Sequence, residues 1–105
     1  MASVCLIYVT CEDNEEARRI GQSLVEARLA ACVNIIKGMN SIYIWDGKLQ
    51  EDLESVLIVK TTKNLADKVV AEVKLLHSYE CPCVLKLPVD GGNQAFLDWI
   101  EGQVT

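Results

Sequence analysis

The chain has 105 residues, half of them apolar and 24% charged, with a formal net charge of −5. That length suits one compact domain over residues 1–105 rather than two, and the composition is that of an ordered globular protein. The acidic balance, without any Lys/Arg cluster, argues against nucleic-acid binding, which needs cations to displace phosphate counterions, and no apolar run approaches the ~20 residues of a membrane-spanning helix.

Residues 4–9 (VCLIYV) form a continuous β-prone run, the pattern of a strand buried on both faces. The first ten residues lack the charged start and small-residue cleavage pattern of a signal peptide, so the expected compartment is the cytoplasm. Glu12, Asp13, Glu15 and Glu16 follow, where carboxylates favour a helix N-terminus through its dipole. Ala17, Ile20, Gly21, Leu24, Val25 and Leu29 then recur at helical spacing, predicting an amphipathic helix that ends near Ala30. Two long strands are expected over residues 32–45 and 48–61. Asp46-Gly47 between them is a strong hairpin signal, because both central positions of a type I′ turn need positive φ. That turn sets Trp45 opposite Lys48, Tyr43 opposite Gln50 and Ile35 opposite Ile58, unless Gly38 marks a bulge that shifts the lower pairs. Asn64 is the expected cap of a second amphipathic helix, with Leu65, Ala66, Val69, Val70, Val73 and Leu76 inward. A last strand over 84–87, a Gly91-Gly92 turn and a short helix over 94–103 complete the chain.

The order β-α-β-β-α-β plus a terminal helix describes a ferredoxin-like α+β sandwich with a long central hairpin: two crossovers split by that hairpin lay two helices on one face of a four-stranded antiparallel sheet. The hairpin is too long for this frame. Arms of about 14 residues reach roughly 45 Å, whereas a compact chain of this size is roughly 33 Å across. Its tip alternates Ile42 and Ile44 with Tyr43 and Trp45, so both faces of the projection are apolar or aromatic. Bare, such a ribbon would aggregate through its edges; burial against identical copies, closed in a ring, removes that liability.

Glu26-Ala27-Arg28-Leu29-Ala30-Ala31-Cys32-Val33-Asn34 closes the first helix, and Ser41-Ile42-Tyr43-Ile44-Trp45-Asp46-Gly47-Lys48 makes an S-x-Y-x-W-x-G-K hairpin. Glu54 with Lys60-Thr61-Thr62, His77-Ser78-Tyr79-Glu80-Cys81-Pro82, Leu87-Pro88, Gly92-Asn93 and Leu97-Asp98-Trp99-Ile100 follow in order. Together these segments resemble the CutA family of divalent-cation tolerance proteins. The resemblance implies a ferredoxin-like protomer, a homotrimer, a link to divalent cations and notably copper, and an architecture like that of PII-type signalling proteins. Copper ligands proposed for the family fall here on Val9, Leu76 and His77; only His77 carries a donor, and Cys11, on the same strand face as Val9, is the nearest substitute.

Candidate chemistry is sparse. The five cysteines, Cys5, Cys11, Cys32, Cys81 and Cys83, are odd in number and irregularly spaced, unlike a secreted disulfide framework. Cys5 and Cys32 read as small core residues. The best metal constellation is His77-x3-Cys81-x-Cys83. In an extended segment the two thiols share a side about 7 Å apart, and with an imidazole they suit Cu(I) or Zn(II); the competing reading makes them plain strand and helix-end residues. Glu54 and Lys60 share a strand face and, with Tyr43, Trp45 and Tyr79, could line an intersubunit cleft that either stabilises the trimer or holds a small anion or metabolite. His77 is the sole histidine, no Cys-protease motif surrounds it, and no glycine-rich phosphate loop occurs; Gly91-Gly92-Asn93 reads as a plain turn rather than as an anion site at the helix that follows. The expectation is a metal-binding or regulatory protein requiring no cofactor beyond a possible copper ion. The alternatives are an enzyme or small-molecule sensor with an intersubunit site, and an adaptor that presents its hairpins.

Overall fold

The computed structural model describes residues 3–105. In chain order the elements are β1 (Val4–Cys11), α1 (Asn14–Glu26), β2 (Cys32–Trp45), β3 (Lys48–Thr62), α2 (Ala66–Leu76), β4 (Val84–Pro88) and α3 (Gln94–Gln103). The strands form one antiparallel sheet in the order β2-β3-β1-β4. Each crossover helix therefore spans one intervening strand, which is the expected ferredoxin-like α+β arrangement.

Local chemistry sets the helix ends. Asp13 caps α1 by accepting from the Glu16 amide at 2.8 Å, and Glu16 reaches back to accept from the Glu12 amide at 2.9 Å, a reciprocal pair close to a capping box. The helix stops short of Ala30. Arg28 adopts φ 61°, and the amides of Leu29 and Ala30 both turn back onto the Leu24 carbonyl. In α2 the cap position falls on Leu65 rather than Asn64, with no side-chain cap. The amides of Leu65 and Ala66 bond instead to the Thr62 and Lys63 carbonyls, so a backbone turn supplies the acceptors expected of Asn64.

The hairpin turns where expected, with Asp46 at φ 51° and Gly47 at φ 75°. Trp45 pairs with Lys48 and Tyr43 with Gln50. Below Gly38, itself at φ 80°, the register slips by one and Ile35 meets Leu57 instead of Ile58. The shift lies between the pairs Ile36–Val56 and Met39–Glu54, so Lys37 and Gly38 together oppose Ser55. This bulge lets one strand serve two faces. Val33 and Ile35 pack on the core below it, while Tyr43 and Trp45 share the opposite face with Glu54 above it.

The core lies between that sheet face and the two crossover helices. Ile7, Val9, Leu57 and Val59 meet Ile20, Leu24, Val69 and Val73, all fully buried. Helix α1 rides so close that a Cβ on Gly21 would lie 2.8 Å from Cγ2 of Val33. Helix α3 covers one end of the other face, where Ile100 packs with Val4 and the Lys60 ammonium sits 5.3 Å from the centre of the Phe96 ring. The rest of that face is open. Strand β1 is consequently buried on one face only, with Leu6, Tyr8 and Thr10 half-buried, where the unbroken apolar run predicted burial on both. The 46 Å long dimension matches the reach calculated for the hairpin, and Ile42, Ile44, Trp45, Leu49 and Leu53 along it are exposed.

Candidate functional site

Where the hairpin leaves the sheet, its Tyr43, Trp45, Asp52 and Glu54 face the segment that connects α2 to β4. Together they enclose a cleft of about 970 Å³. Tyr79, Glu80, Cys81 and Cys83 of the connecting segment form the facing wall. Two tyrosines fix two of the carboxylates: Tyr79 Oη donates to Glu54 Oε2 at 2.7 Å, and Tyr43 Oη donates to Asp52. Burial, then the bond to Glu54, pushes the Tyr79 phenol well above its ordinary range; the bond to Asp52 raises that of Tyr43. Both rings therefore act as neutral donors. No basic side chain lines the cleft among the described residues, and Asp52, Glu54 and Glu80 give it a negative lining that does not include Lys60. Lys60 is on the same strand face as Glu54 but six residues further, ~20 Å along the strand, at the α3 end.

His77 stands directly behind this wall. At the C-terminus of α2 its ring turns inward and is buried. Nε2 lies 2.7 Å from the Thr10 carbonyl, and Nδ1 accepts the Tyr79 amide at 3.0 Å. A carbonyl can only accept, so Nε2 carries the proton and Nδ1 is bare. The ring thereby holds Tyr79 in place from behind, while the Tyr79 hydroxyl holds Glu54 in front.

Glu16 completes the back of this region. Its carboxylate is buried and accepts from the Ser78 amide at 2.8 Å as well as from Glu12. Burial alone would raise its pKa, but hydrogen bonds from Ser78 and Glu12 outweigh that cost and hold it below the ordinary carboxylate value. Cys11, fully buried beside it, has a thiol pushed up to about 12 by desolvation and then by the Glu16 and Glu54 charges. Ligand atoms of Cys11, Glu16 and His77 all lie within 4.8 Å of one another, the one such trio of potential metal donors among the described residues.

The donors picked from sequence are thus distributed between two places. Cys81 and Cys83 line the cleft, in chain that precedes β4 rather than belonging to it, whereas His77 sits behind Tyr79 with Cys11 and Glu16. His77, Cys81 and Cys83 do not converge as a trio, because the histidine side chain points into the core and the thiols lie beyond the next turn of chain. Glu16, expected only as one of the acidic residues at a helix N-terminus, also belongs to this region. Its signal is Asp13-x-x-Glu16, the capping spacing that turns a carboxylate back toward the preceding strand. At the start of α3 the Asn93 side chain accepts from the Ala95 amide, filling the position that an anion would need.

A family model described as CutA1 divalent ion tolerance protein matches residues 5–103. A divalent-cation tolerance protein CutA from Thermus thermophilus is 46% identical over 96 residues, which cover 91% of this chain and 93% of that one. A rice protein, CutA 1, chloroplastic, is 43% identical over 91% of this chain, but the match spans only 54% of its own length. Against the chloroplastic relatives from rice and Arabidopsis, then, the chain corresponds to about half of the protein. Among solved structures, the one described as the periplasmic divalent cation tolerance protein CutA from Archaeoglobus fulgidus superimposes with a TM-score of 0.93 at 42% identity, covering 97% of this chain and 99% of that one.

Proposed function

We propose that this chain, which belongs to the CutA1 divalent ion tolerance protein family, is a homotrimeric, non-catalytic copper-response protein that takes the metal at its cleft. The observation that carries this reading is the lining: three carboxylates and two thiols with no opposing cation. Cys81 and Cys83 supply the soft donors that favour Cu(I), and Asp52, Glu54 and Glu80 supply the field that draws a cation in. His77 supports the thiol-bearing segment from behind. A non-catalytic role is favoured because the sole histidine has both ring nitrogens engaged with backbone groups and is not available as a general base.

The trimer rests on the exposed hairpin and on the open sheet face, where Ile36 and Leu85 are each 54% exposed. Light scattering should return three protomers of 11.6 kDa; a monodisperse monomer would refute it. All five cysteines are free, which suits work in a reducing compartment such as the cytoplasm. For copper, Cu(I) held by a competing chelator of known affinity should transfer to the wild type and much less to Cys81→Ser/Cys83→Ser. Equal transfer to both would overturn the assignment.

The cleft's size favours a second reading, a sensor of a small organic cation. About 970 Å³ is ample for a drug-sized molecule and far more than one ion fills. Such a ligand would bind the Cys81→Ser/Cys83→Ser protein undiminished.

A further inference from the structure

Resting on the reading of the cleft as a site for a small organic cation, we infer that its ligand is an aliphatic diamine, a short chain with an ammonium at each end, held by two carboxylate–tyrosine pairs. Two half-sites of the same make line the cleft. In one, Tyr43 Oη donates to Asp52 Oδ2; in the other, Tyr79 Oη donates to Glu54 Oε2 at 2.7 Å. Asp52 and Glu54 lie two residues apart on β3, so they share a face and stand roughly 7 Å apart along it. A repeated half-site suits a ligand with two equal heads.

Each half-site has room for one head. The tyrosine occupies one oxygen of its carboxylate, and neither Asp52 Oδ1 nor Glu54 Oε1 has a hydrogen-bond or ion-pair partner among the described residues. An ammonium carries three donors and no acceptor, so it meets the open oxygen and leaves the phenol, itself a donor, in place. With staggered bonds of ~1.5 Å, a chain of four or five carbons holds its two nitrogens about 6–7.5 Å apart, which matches the spacing of the carboxylates. The Tyr43, Trp45 and Tyr79 rings beside them give the methylenes an apolar wall, and their faces also attract ammonium groups.

Charge and spacing both favour two heads over one. Glu80 adds a third carboxylate to the lining, and Lys48, the nearest cation on this face of the hairpin, pairs with Trp45 at the tip and stays outside the cleft. A monoamine would leave two of the three negative charges without a counterion; a diamine leaves one. Nor do Asp52, Glu54 and Glu80 gather their oxygens around one point as a single metal ion requires, since the one such trio among the described residues lies elsewhere.

The probe is 1,4-diaminobutane, titrated calorimetrically at low salt into the Cys81→Ser/Cys83→Ser protein, so that the thiols contribute nothing. Expected is saturation at one molecule per chain. 1-Aminobutane, with one head, and 1,2-diaminoethane, with too short a span, should each bind about tenfold more weakly or worse. Asp52→Asn and Glu54→Gln should each bring the diamine down to the affinity of 1-aminobutane. Glu51→Gln removes the same charge from the opposite face of β3 and should leave binding unchanged; far-ultraviolet dichroism confirms that each variant is folded. Equal affinity for 1-aminobutane and the diamine overturns the two-headed site, as does a loss in Glu51→Gln as large as that in Asp52→Asn. Failure of the diamine to bind also overturns it. Tetramethylammonium then separates the two readings: its binding keeps the cleft as an organic-cation site, and its failure removes that reading as well.

Discussion

Replacing Glu16 by Gln should destabilise the protein by about 2–4 kcal/mol at neutral pH, and the loss should fade in acid. The carboxylate accepts two backbone amides, Glu12 at 2.9 Å and Ser78 at 2.8 Å, and its side chain is only 5% exposed. Hydrogen bonds to a charged group contribute about 1.5–3 kcal/mol each. A glutamine keeps one carbonyl oxygen for one amide and turns its NH2 toward the other, leaving a buried donor facing a donor. Arg19, at 3.5 Å and 52% exposed, adds little because solvent screens it. The pH dependence follows from the direction of the shift. The folded-state pKa of Glu16 is depressed, so its contribution is full above the unfolded value of ~4.3 and is lost as pH falls through the folded value. Urea denaturation of both proteins, at one fixed protein concentration because assembly adds to apparent stability, should give a constant difference from pH 7 to about 5 and a shrinking one below. A difference under about 0.5 kcal/mol, or one that persists unchanged into acid, would refute the argument that this carboxylate clamps the strand end, the helix start and the cleft loop together.

The same geometry makes further outcomes measurable. In a spectrophotometric titration Tyr79 should ionise last, after Tyr43, whose phenol is also raised, and Tyr79→Phe should remove that latest component. Gly21→Ala should cost about 1–3 kcal/mol through contact with Val33, although alanine alone would gain ~1 kcal/mol of helix propensity; a neutral or stabilised variant would mean that the helix can lift off β2 freely. Trp45→Glu should shift light-scattering mass toward the protomer, since a charge placed on an aromatic interface has no water to solvate it. Native alkylation should reach exposed Cys81 first and leave Cys11 untouched until unfolding, because burial both hides its thiol and keeps it protonated.

The frame of the fold was readable because it rests on local rules. Asp46-Gly47 announces its turn, the helices announce their periodicity, and the alternating tip residues announce a hairpin with two apolar faces. Helix ends were less legible, since Arg28 at φ 61° and the backbone turn before Leu65 depend on contacts beyond their own residue types. Periodicity placed Glu54 and Lys60 on one face but said nothing of α3, which crosses that face and draws Lys60 to Phe96. Tyr43, Trp45, Glu54 and Tyr79 do meet, because the bulge at Gly38 separates the core-facing half of β2 from the cleft-facing half. For the donors, spacing is a poor guide outside regular structure. An extended 77–83 segment would align His77 with the thiols, yet the structure bends between them, and the histidine goes to the core.

That bend has a mechanical meaning. Residues 77–83 contain no helix or strand, yet they are held at Ser78 by Glu16, at Tyr79 by His77 and Glu54, and at Cys83 by a backbone bond from the Thr10 amide. Polar bonds to Glu16, His77 and Glu54 fix this wall of the cleft, so its local stability depends on those three side chains. The exposed Tyr43–Trp45 tip forms the opposite wall and belongs to the hairpin on which the proposed assembly rests. Under the proposed function, a cation taken up in this cleft would therefore sit beside the proposed subunit contact, and metal occupancy and assembly would be linked quantities, each shifting the other by the same free energy.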